Sequence, residues 1–220
     1  MNLALFDLDN TLLAGDSDYN WSLFLIRHGL LDAKTHHDRN EQFYADYKDG
    51  SLDILAFLKF QLIPLSQHKK IFLDELHVKY MTEVIRPMMT TKAQALVDSH
   101  KAAGDICVVI TATNSFVTKP IATAYGIENL IGSDPEMVNG EYTGGVTGVP
   151  SFQAGKVTRI NQWLAERGQT LGDFEKSYFY SDSFNDLPLM KLVTNPVAVD
   201  ADDTLTAYAT AQGWPHISLR

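Results

Sequence analysis

Residues 3–11 read LALFDLDNT, in which four apolar residues run directly into a segment with two aspartates, Asp7 and Asp9. A short apolar run that ends in polar residues is typical of a buried strand followed by a loop. Because the aspartates are two positions apart, an extended backbone directs both carboxylates to the same side. The segment therefore predicts a strand that delivers a pair of carboxylates at its carboxyl end.

Two other apolar runs end in polar clusters in the same way. Residues 106–110 lead into Thr111, and residues 178–180 lead into the acidic segment Asp182–Asp186. Ligands of open parallel sheets bind beyond the carboxyl ends of the strands, so the three clusters are expected to meet in one crevice. Lys156 begins a predicted helix and is the cation expected there. Each feature alone also fits a helix cap or a solvated side chain, so the prediction depends on their order along the chain.

The pattern between the first two strands is helical, whereas the rest of the chain alternates strand and helix. Residues 16–87 predict four helices, the second starting after Asp32 and ending at Gly50, and the fourth opening near Ser66. After Pro87, the alternation predicts an α/β fold with a parallel sheet and right-handed crossovers. We therefore expect two domains: a core of residues 1–15 and 88–220, and an inserted helical bundle of residues 16–87.

Composition limits the possible functions. The chain has 220 residues, a net charge of −9 and one cysteine, Cys107. The acidic balance, without a basic stripe, argues against a nucleic-acid partner, and a single cysteine excludes an internal disulfide. No apolar run reaches the roughly 18 residues of a membrane span, and the N-terminus lacks a signal-peptide pattern. We therefore expect a cytoplasmic protein without a membrane partner; the sequence leaves its oligomeric state open.

The predicted crevice collects an unusual amount of negative charge. Asp7, Asp9, Asp182 and Asp186 would lie together, and such crowding is costly unless a cation offsets it. Mg²⁺ fits because it prefers oxygen ligands and takes only one or two carboxylates directly. Together with Lys156, the metal would attract a phosphate group, which predicts a small phosphorylated metabolite as the partner.

With these motifs in this order, the chain resembles the haloacid dehalogenase superfamily, in particular its subfamily IB of phosphoserine phosphatase-like enzymes. Residues 7–11 match the first motif, DxDxT; Thr111 and Lys156 match the second and third, and residues 182–186 match the acidic fourth. The helical insert resembles a C1-type cap. The resemblance implies a Rossmann-like three-layer core with a central parallel sheet, and a cap domain of residues 16–87.

The resemblance also implies a phosphomonoesterase mechanism. Asp7 attacks phosphorus and forms an aspartyl-phosphate. Asp9 protonates the leaving alkoxide and then takes a proton from water. Mg²⁺ is held by the Asp7 side chain, the Asp9 carbonyl and Asp182.

Five residues are implied to support this chemistry. Thr111 and the N–H of Ala112 bind phosphate oxygens, and Lys156 bridges the nucleophile and the phosphate. Asp186 holds a metal-bound water or orients Lys156, and Asn185 supports the same network.

Substrate choice is expected to come from the cap. Phosphoserine phosphatases carry a glutamate at the position of Asp16, where it binds the substrate amine; Asp16 would play that part or cap a helix. Lys59 lies near the place of their carboxylate-binding arginine, and Thr113 stands where they have glycine. These departures favour an amino-alcohol phosphate such as histidinol phosphate over phosphoserine.

Other classes of function remain open at this point. The same covalent intermediate would serve a phosphotransferase, and a non-catalytic regulator phosphorylated on aspartate also places a metal beside that residue. Asp9 and the helical insert argue against such a regulator, and a DxD glycosyltransferase would require a nucleotide-binding region for which there is no room. Of the remaining polar residues, His36 and His37 are expected to be solvated and His77 to lie in the helical core.

Overall fold

The computed structural model of the chain describes residues 1–220, apart from the side chain of Thr35. Its centre is a seven-stranded sheet of order β4-β3-β2-β1-β5-β6-β7. The strands are β1 Leu3–Phe6, β2 Ile106–Asn114, β3 Asn129–Val138, β4 Glu141–Thr147, β5 Ser177–Ser181, β6 Asn195–Val199 and β7 His216–Ile217. All neighbouring strands are parallel except β3 and β4. The predicted α/β fold with a mainly parallel sheet is confirmed.

The helices fall into two groups along the chain. The first group lies between β1 and β2: α1 Ser17–Arg27, α2 Ala33–Asp49, α3 Ile54–Ser66, α4 Lys70–Tyr80 and α5 Thr91–Ala102. The second group follows β2: α6 Ser115–Ala124, α7 Ala154–Ala165, α8 Leu187–Met190 and α9 Asp203–Gln212. Within the described residues, every helix is too short or too polar to cross a lipid bilayer.

Alternation along the central strands produces three layers. Ala4 and Phe6 pack into one buried cluster, with α5, α6 and the helices after β1. Leu3 and Leu5 point the other way, into a cluster with α7, α8 and α9. Because successive strand residues face opposite sides, a wholly apolar strand is covered on both faces. The three-layer core expected from the resemblance is therefore present.

The strand register places the polar clusters side by side. Phe6 is paired with Val109 on β2 and with Tyr180 on β5. All three strands run in the same direction, so the residues that follow these partners lie at the same edge of the sheet. The site begins at this edge, immediately after Phe6.

The helical segment agrees with the sequence at its start and differs near its end. Asp16 caps α1, and α2 ends before Gly50, which has the left-handed φ of 79° common after helices. Helix α3 continues past Pro64 to Ser66, and α4 begins at Lys70 instead of near Ser66. The division of the chain into a core and a cap remains a prediction.

Two sheet features differ in extent from the sequence prediction. Strand β3 continues from the expected Ile131 to Val138, and the two-residue β7 was not expected. The hairpin predicted at Asn139-Gly140 is confirmed, because both residues have positive φ, 53° and 81°.

One prediction about the histidines is wrong. His36 is 7% exposed and stacks on Phe60 with ring centroids 4.3 Å apart, so it is not solvated. Its neighbour His37 is exposed as expected. His77 is buried, and its Nε2 lies 2.9 Å from the carbonyl oxygen of Val117.

Burial lowers the pKa of His77 below its ordinary value of 6.5. The unfolded chain therefore takes up a proton as the pH falls below 6.5, before the folded chain does, and stability is lost over that interval. We expect His77→Gln to lose less of its free energy of unfolding than the wild type between pH 7.5 and 5.5. Urea denaturation at both pH values measures this, with exposed His37→Gln as control. Equal losses in wild type and His77→Gln would contradict the account.

Candidate active site

The first acidic cluster lies in a wide turn directly after β1. The turn spans Leu8–Leu12 and is closed by a hydrogen bond from the Leu13 N–H to the Leu8 carbonyl at 2.9 Å. Asn10 takes a left-handed φ of 55°, which asparagine adopts more readily than most residues. The chain thereby reverses direction while Asp7 and Asp9 stay at the strand end.

A buried lysine joins the first cluster to the last. Lys156, 2% exposed, donates from Nζ to Asp7 Oδ1 and to Asp186 Oδ2, both at 2.7 Å. Ser181 Oγ adds a hydrogen bond to Asp186 Oδ2 at 2.7 Å. Burial alone would lower the pKa of Lys156, but the charges of Asp186 and Asp7 outweigh burial and hold that pKa above its usual value. Lys156 therefore stays cationic at neutral pH.

The lysine does not neutralise the cluster. Burial raises the pKa of Asp7 to about 7; Lys156 lowers it in part, while Asp186 and Asp9 raise it further. Burial and the charge of Asp7 also raise the pKa of Asp182 well above its ordinary value. The site therefore has more negative charge than its own cation offsets, which is the condition under which a bound cation is favourable.

Thr11 holds the first and last clusters together. Its Oγ1 lies 3.0 Å from Asp182 Oδ1 and 3.4 Å from Asp7 Oδ2, and it accepts a hydrogen bond from the Asp182 N–H at 3.0 Å. This hydroxyl fixes the two carboxylates relative to each other.

Asp9 is held by two donors on the other side of the turn. Its Oδ1 accepts from the Ser17 N–H at 2.6 Å, and its Oδ2 accepts from Thr113 Oγ1 at 2.8 Å. Burial and the charge of Asp16 raise the pKa of Asp9 to about 6, although both hydrogen bonds oppose this. A carboxyl with this pKa exchanges protons near neutral pH, as a general acid or base must.

The end of β2 provides the second polar cluster. Thr111 Oγ1 accepts from the Thr113 N–H at 3.2 Å, and the Ala112 carbonyl accepts from Ser133 Oγ at 2.8 Å. Asn114 then caps α6 by accepting from the Val117 N–H. The strand end therefore presents its hydroxyl beside the N-terminus of a helix, an arrangement favourable to anions.

Asn185 connects the last cluster to α2. Its Nδ2 donates to the Tyr47 carbonyl at 2.9 Å, and its Oδ1 accepts from Gln153 Nε2 at 2.9 Å. Tyr47 also donates from its hydroxyl to Ser183 Oγ at 2.9 Å. The helices after β1 thus reach the acidic loop through hydrogen bonds.

One cavity of about 90 Å³ that opens to solvent lies between the strand ends and the helices after β1. Its polar floor includes Asp7, Asp9, Thr111, Ala112, Lys156 and Asp186. Its opposite wall comes from α1 to α3 and includes Asp16, Asp18, Asn40, Phe43, Tyr44, Tyr47, Phe57 and Gln61. Asp16 lines the cavity and also caps α1, accepting from the N–H groups of Asp18 and Tyr19 at 2.8 Å. Lys59 is exposed and does not line the cavity, so it is not the counterpart of the carboxylate-binding arginine.

The donor set fits a divalent metal. Two side chains, Asp7 and Asp182, and the Asp9 carbonyl are the oxygen ligands expected from the sequence, and Thr11 joins the two carboxylates. Among the described residues, no three histidine, cysteine or acidic side chains are grouped as metal ligands. A site with two carboxylates and a carbonyl does not require such a group, and Mg²⁺ is bound in this way.

Sequence reasoning missed four residues that shape the site. Thr11 and Thr113 orient carboxylates, Tyr47 links α2 to the acidic loop, and Asp18 lines the cavity with its side chain 4% exposed. Thr11 belongs to the recognised motif and was available from it. The other three act on residues far away in the chain, and no local pattern indicates such contacts.

Comparison with known proteins agrees with this fold. Residues 4–191 match the model of the haloacid dehalogenase-like hydrolase family. The chain is 50% identical over 220 residues to a histidinol-phosphatase of Neisseria meningitidis serogroup C (strain 8013), covering 100% of this chain and 99% of that protein.

Two solved structures have the same fold. A protein of unknown function from Bordetella pertussis Tohama I superposes with a TM-score of 0.94 at 48% identity, over 100% of this chain and 99% of the other. A substrate-bound phosphoserine phosphatase superposes with a TM-score of 0.69 at 16% identity, over 99% and 92%. At that identity the second likeness concerns the fold alone.

The fold and these matches define a hydrolase built on a mainly parallel sheet, with a group of helices between β1 and β2. The chain belongs to the haloacid dehalogenase-like hydrolase family. It is an enzyme of the phosphatase type, and phosphatases of this family generally use a divalent metal. The glycosyltransferase alternative is thereby excluded.

The first turn of α7, which contains Gly155 and Lys156, makes a further expectation testable. A Cβ added to Gly155 would lie 2.1 Å from the Pro150 carbonyl oxygen, which is backbone and cannot rotate away. We expect Gly155→Ala to destabilise the protein by about 1–3 kcal/mol, as overpacking does, and to reduce hydrolysis of p-nitrophenyl phosphate by shifting Lys156. Thermal unfolding and initial rates measure both effects.

Gly172→Ala is the matched control, because its new Cβ would make only an ordinary contact, 3.7 Å from Thr170 Oγ1. If Gly155→Ala matched this control in melting temperature and rate, the turn would not set the lysine.

Proposed function

We propose that this phosphatase hydrolyses a small amino-alcohol phosphate, histidinol phosphate in particular, through an aspartyl-phosphate on Asp7, with Mg²⁺ as cofactor. The observation that carries the proposal is the contact of Lys156 with both Asp7 and Asp186 at 2.7 Å, at the floor of a cavity walled by the helical insert. The 50% identity to a histidinol-phosphatase over the full chain supports this substrate.

Asp7 is the nucleophile in this proposal. One carboxylate oxygen forms a bond to phosphorus while the bond from phosphorus to the substrate oxygen breaks. Lys156 holds the carboxylate in place and faces the negative charge of the transferred group. Thr111 and the N–H of Ala112 bind the phosphoryl oxygens at the start of α6.

Asp9 moves the protons. In its protonated form it gives its proton to the leaving alkoxide, and as a carboxylate it then accepts one from the water that attacks the aspartyl-phosphate. Its pKa of about 6 makes both forms accessible near neutral pH. The Ser17 N–H and the Thr113 hydroxyl hold the Asp9 carboxylate in place.

The metal would be held by the side chains of Asp7 and Asp182 and by the Asp9 carbonyl. When bound, Mg²⁺ offsets the negative charge of the phosphoryl oxygens. Asp186 and Asn185 support the site by orienting Lys156 and the loop that contains Asp182.

The cavity wall supports a substrate that has an amine but no carboxylate, in preference to phosphoserine, which has both. Among the described lining residues, Lys156 is the basic side chain, and it is already paired with Asp7 and Asp186. A substrate carboxylate would therefore meet no free cation, while Asp16 and Asp18 present acidic groups. The proposed division of labour assigns chemistry to residues 1–15 and 88–220, and substrate choice to the cap of residues 16–87.

The nucleophile is tested with Asp7→Asn. We expect phosphate release from L-histidinol phosphate to fall by more than about 10³-fold, because an amide is a poor nucleophile at phosphorus. Asp98→Asn, which changes an exposed carboxylate on α5, is the control. Mass spectrometry of the quenched wild-type reaction should find a phosphorylated peptide containing Asp7. Near-wild-type turnover by Asp7→Asn would refute the nucleophile.

The metal is tested by chelation. We expect EDTA to abolish phosphate release and MgCl₂ to restore it in the wild type. Asp182→Asn should need a Mg²⁺ concentration about 10- to 100-fold higher for half-maximal rate, since one charged ligand is lost. Undiminished activity after exhaustive EDTA dialysis, verified by metal analysis, would rule out this cofactor.

A further inference from the structure

The helical wall of the cavity contains one buried acidic oxygen without a donor. Asp18, in the first turn of α1, is 4% exposed and lines the cavity with Asp7 and Asp9. Its Oδ1 accepts from Asn114 Nδ2 at 3.1 Å, whereas its Oδ2 makes no hydrogen bond within the described structure. A buried carboxylate oxygen without a hydrogen bond raises the free energy of the folded protein. A ligand that donates a hydrogen bond to this oxygen removes that penalty and binds more tightly.

The charged groups around Asp18 do not balance it. Burial raises its pKa well above the ordinary value, and the charges of Asp16 and Asp9 raise it further, while Gln61 and Asn114 lower it. The charged neighbours that act on it are thus both acidic. A positively charged group is the complement that this end of the cavity requires.

Asp16, the residue that the sequence favoured, is engaged differently. Its Oδ1 accepts from the N–H groups of Asp18 and Tyr19, both at 2.8 Å, which fixes the carboxylate on the start of α1. Asp16 is half-buried and therefore more exposed than Asp18, although burial raises the pKa of its carboxyl as well. An ion pair with Asp18 is better shielded from water and from salt than one with Asp16.

The position of Asp18 relative to Asp9 shows which part of a substrate reaches it. Ser17 donates to Asp9 and precedes Asp18, while Thr113 donates to Asp9 and precedes Asn114, which donates to Asp18. The two carboxylates therefore belong to one hydrogen-bonded group and line the same cavity. A leaving group whose oxygen is at Asp9 extends its carbon chain toward Asp18.

We propose that Asp18 is the specificity-determining residue that binds the ammonium group of the substrate, a 2-amino-alcohol phosphate. Only two carbons separate the nitrogen from the ester oxygen in such a compound. The ammonium donates to Oδ2, while Asn114 keeps Oδ1 in place. This inference rests on the proposed function, because it takes Asp9 to be the acid at the leaving oxygen.

The test compares two substrates that differ only in the amine. L-histidinol phosphate and 3-(imidazol-4-yl)propyl phosphate are assayed with the wild type, Asp18→Asn and Asp16→Asn, and the ratio of their kcat/KM values is measured. We expect a wild-type ratio of about 10 to 100 in favour of the amine, the range of a charge-assisted hydrogen bond. In Asp18→Asn the ratio should fall to within about threefold of 1, mainly through KM for the amine substrate.

Two further variants guard against a merely structural effect. Asp53→Asn is the matched control, since Asp53 caps α3 as Asp16 caps α1 but does not line the cavity; it should keep the wild-type ratio. Asp18→Glu keeps the charge and should retain part of the ratio if Asp18→Asn folds poorly. Because each ratio is measured on a single preparation, loss of folded protein cancels from it.

The outcomes separate the inference from the function on which it rests. If the wild type hydrolyses the amine substrate and Asp18→Asn keeps the ratio, the inference is wrong while the proposed function stands. Loss of the ratio in Asp16→Asn alone would assign the amine to Asp16 instead. Failure of the wild type to hydrolyse L-histidinol phosphate, with p-nitrophenyl phosphate turned over, would overturn the proposed substrate and the inference together.

Discussion

Lys156 donates hydrogen bonds to Asp7, which lies 149 residues earlier in the chain, and to Asp186, which lies 30 residues later. All three side chains are almost fully buried, so their charges are offset mainly by one another. A buried ion pair adds little net stability over an apolar core, but removing one partner leaves the other charged and unpaired. The end of β1, the start of α7 and the loop after β5 must therefore be in place together, and the fold is complete only when the site is.

The same group of charges remains incomplete without a ligand. Two carboxylates share one lysine, and Asp182 adds a third through Thr11. The pKa values of Asp7 and Asp182 are raised because burial and mutual repulsion oppose ionisation of these two carboxyls. Binding a divalent cation reverses the sign of this effect and makes the site receptive to a phosphate dianion.

The central parts of this site were predictable because they follow a topological rule. Strands of a parallel sheet end at one edge, so the polar residues after β1, β2 and β5 had to meet there once the strands were recognised. The strand order alone is enough to predict that these loops lie together; no other contact between distant residues has to be known. The two-residue β7 and the length of β3 were not predictable, because short or partly exposed strands lack a distinctive apolar pattern.

The contacts that the sequence did not reveal are those between the helical wall and the sheet. The bonds from Thr113 to Asp9 and from Asn114 to Asp18 span 104 and 96 residues. Sequence reasoning treated Thr113 only as bulk in place of a glycine, whereas its hydroxyl holds the proposed acid. His36 was misjudged for a related reason, since a polar helix sequence does not show that Phe60 on the next helix covers it.

With Asp9 and Asp18 in their proposed roles, the pairing of adjacent residues would couple chemistry to substrate choice. Ser17 and Asp18 lie together at the start of α1, and Thr113 and Asn114 lie together at the end of β2. Any displacement of α1 that moves Asp18 away from a substrate also moves the Ser17 N–H away from Asp9. A substrate that contacts the helical wall would therefore stabilise the arrangement in which Asp9 is aligned. A substrate without such a contact would not stabilise it. Binding energy from a group remote from phosphorus is in this way available to the proton-transfer step.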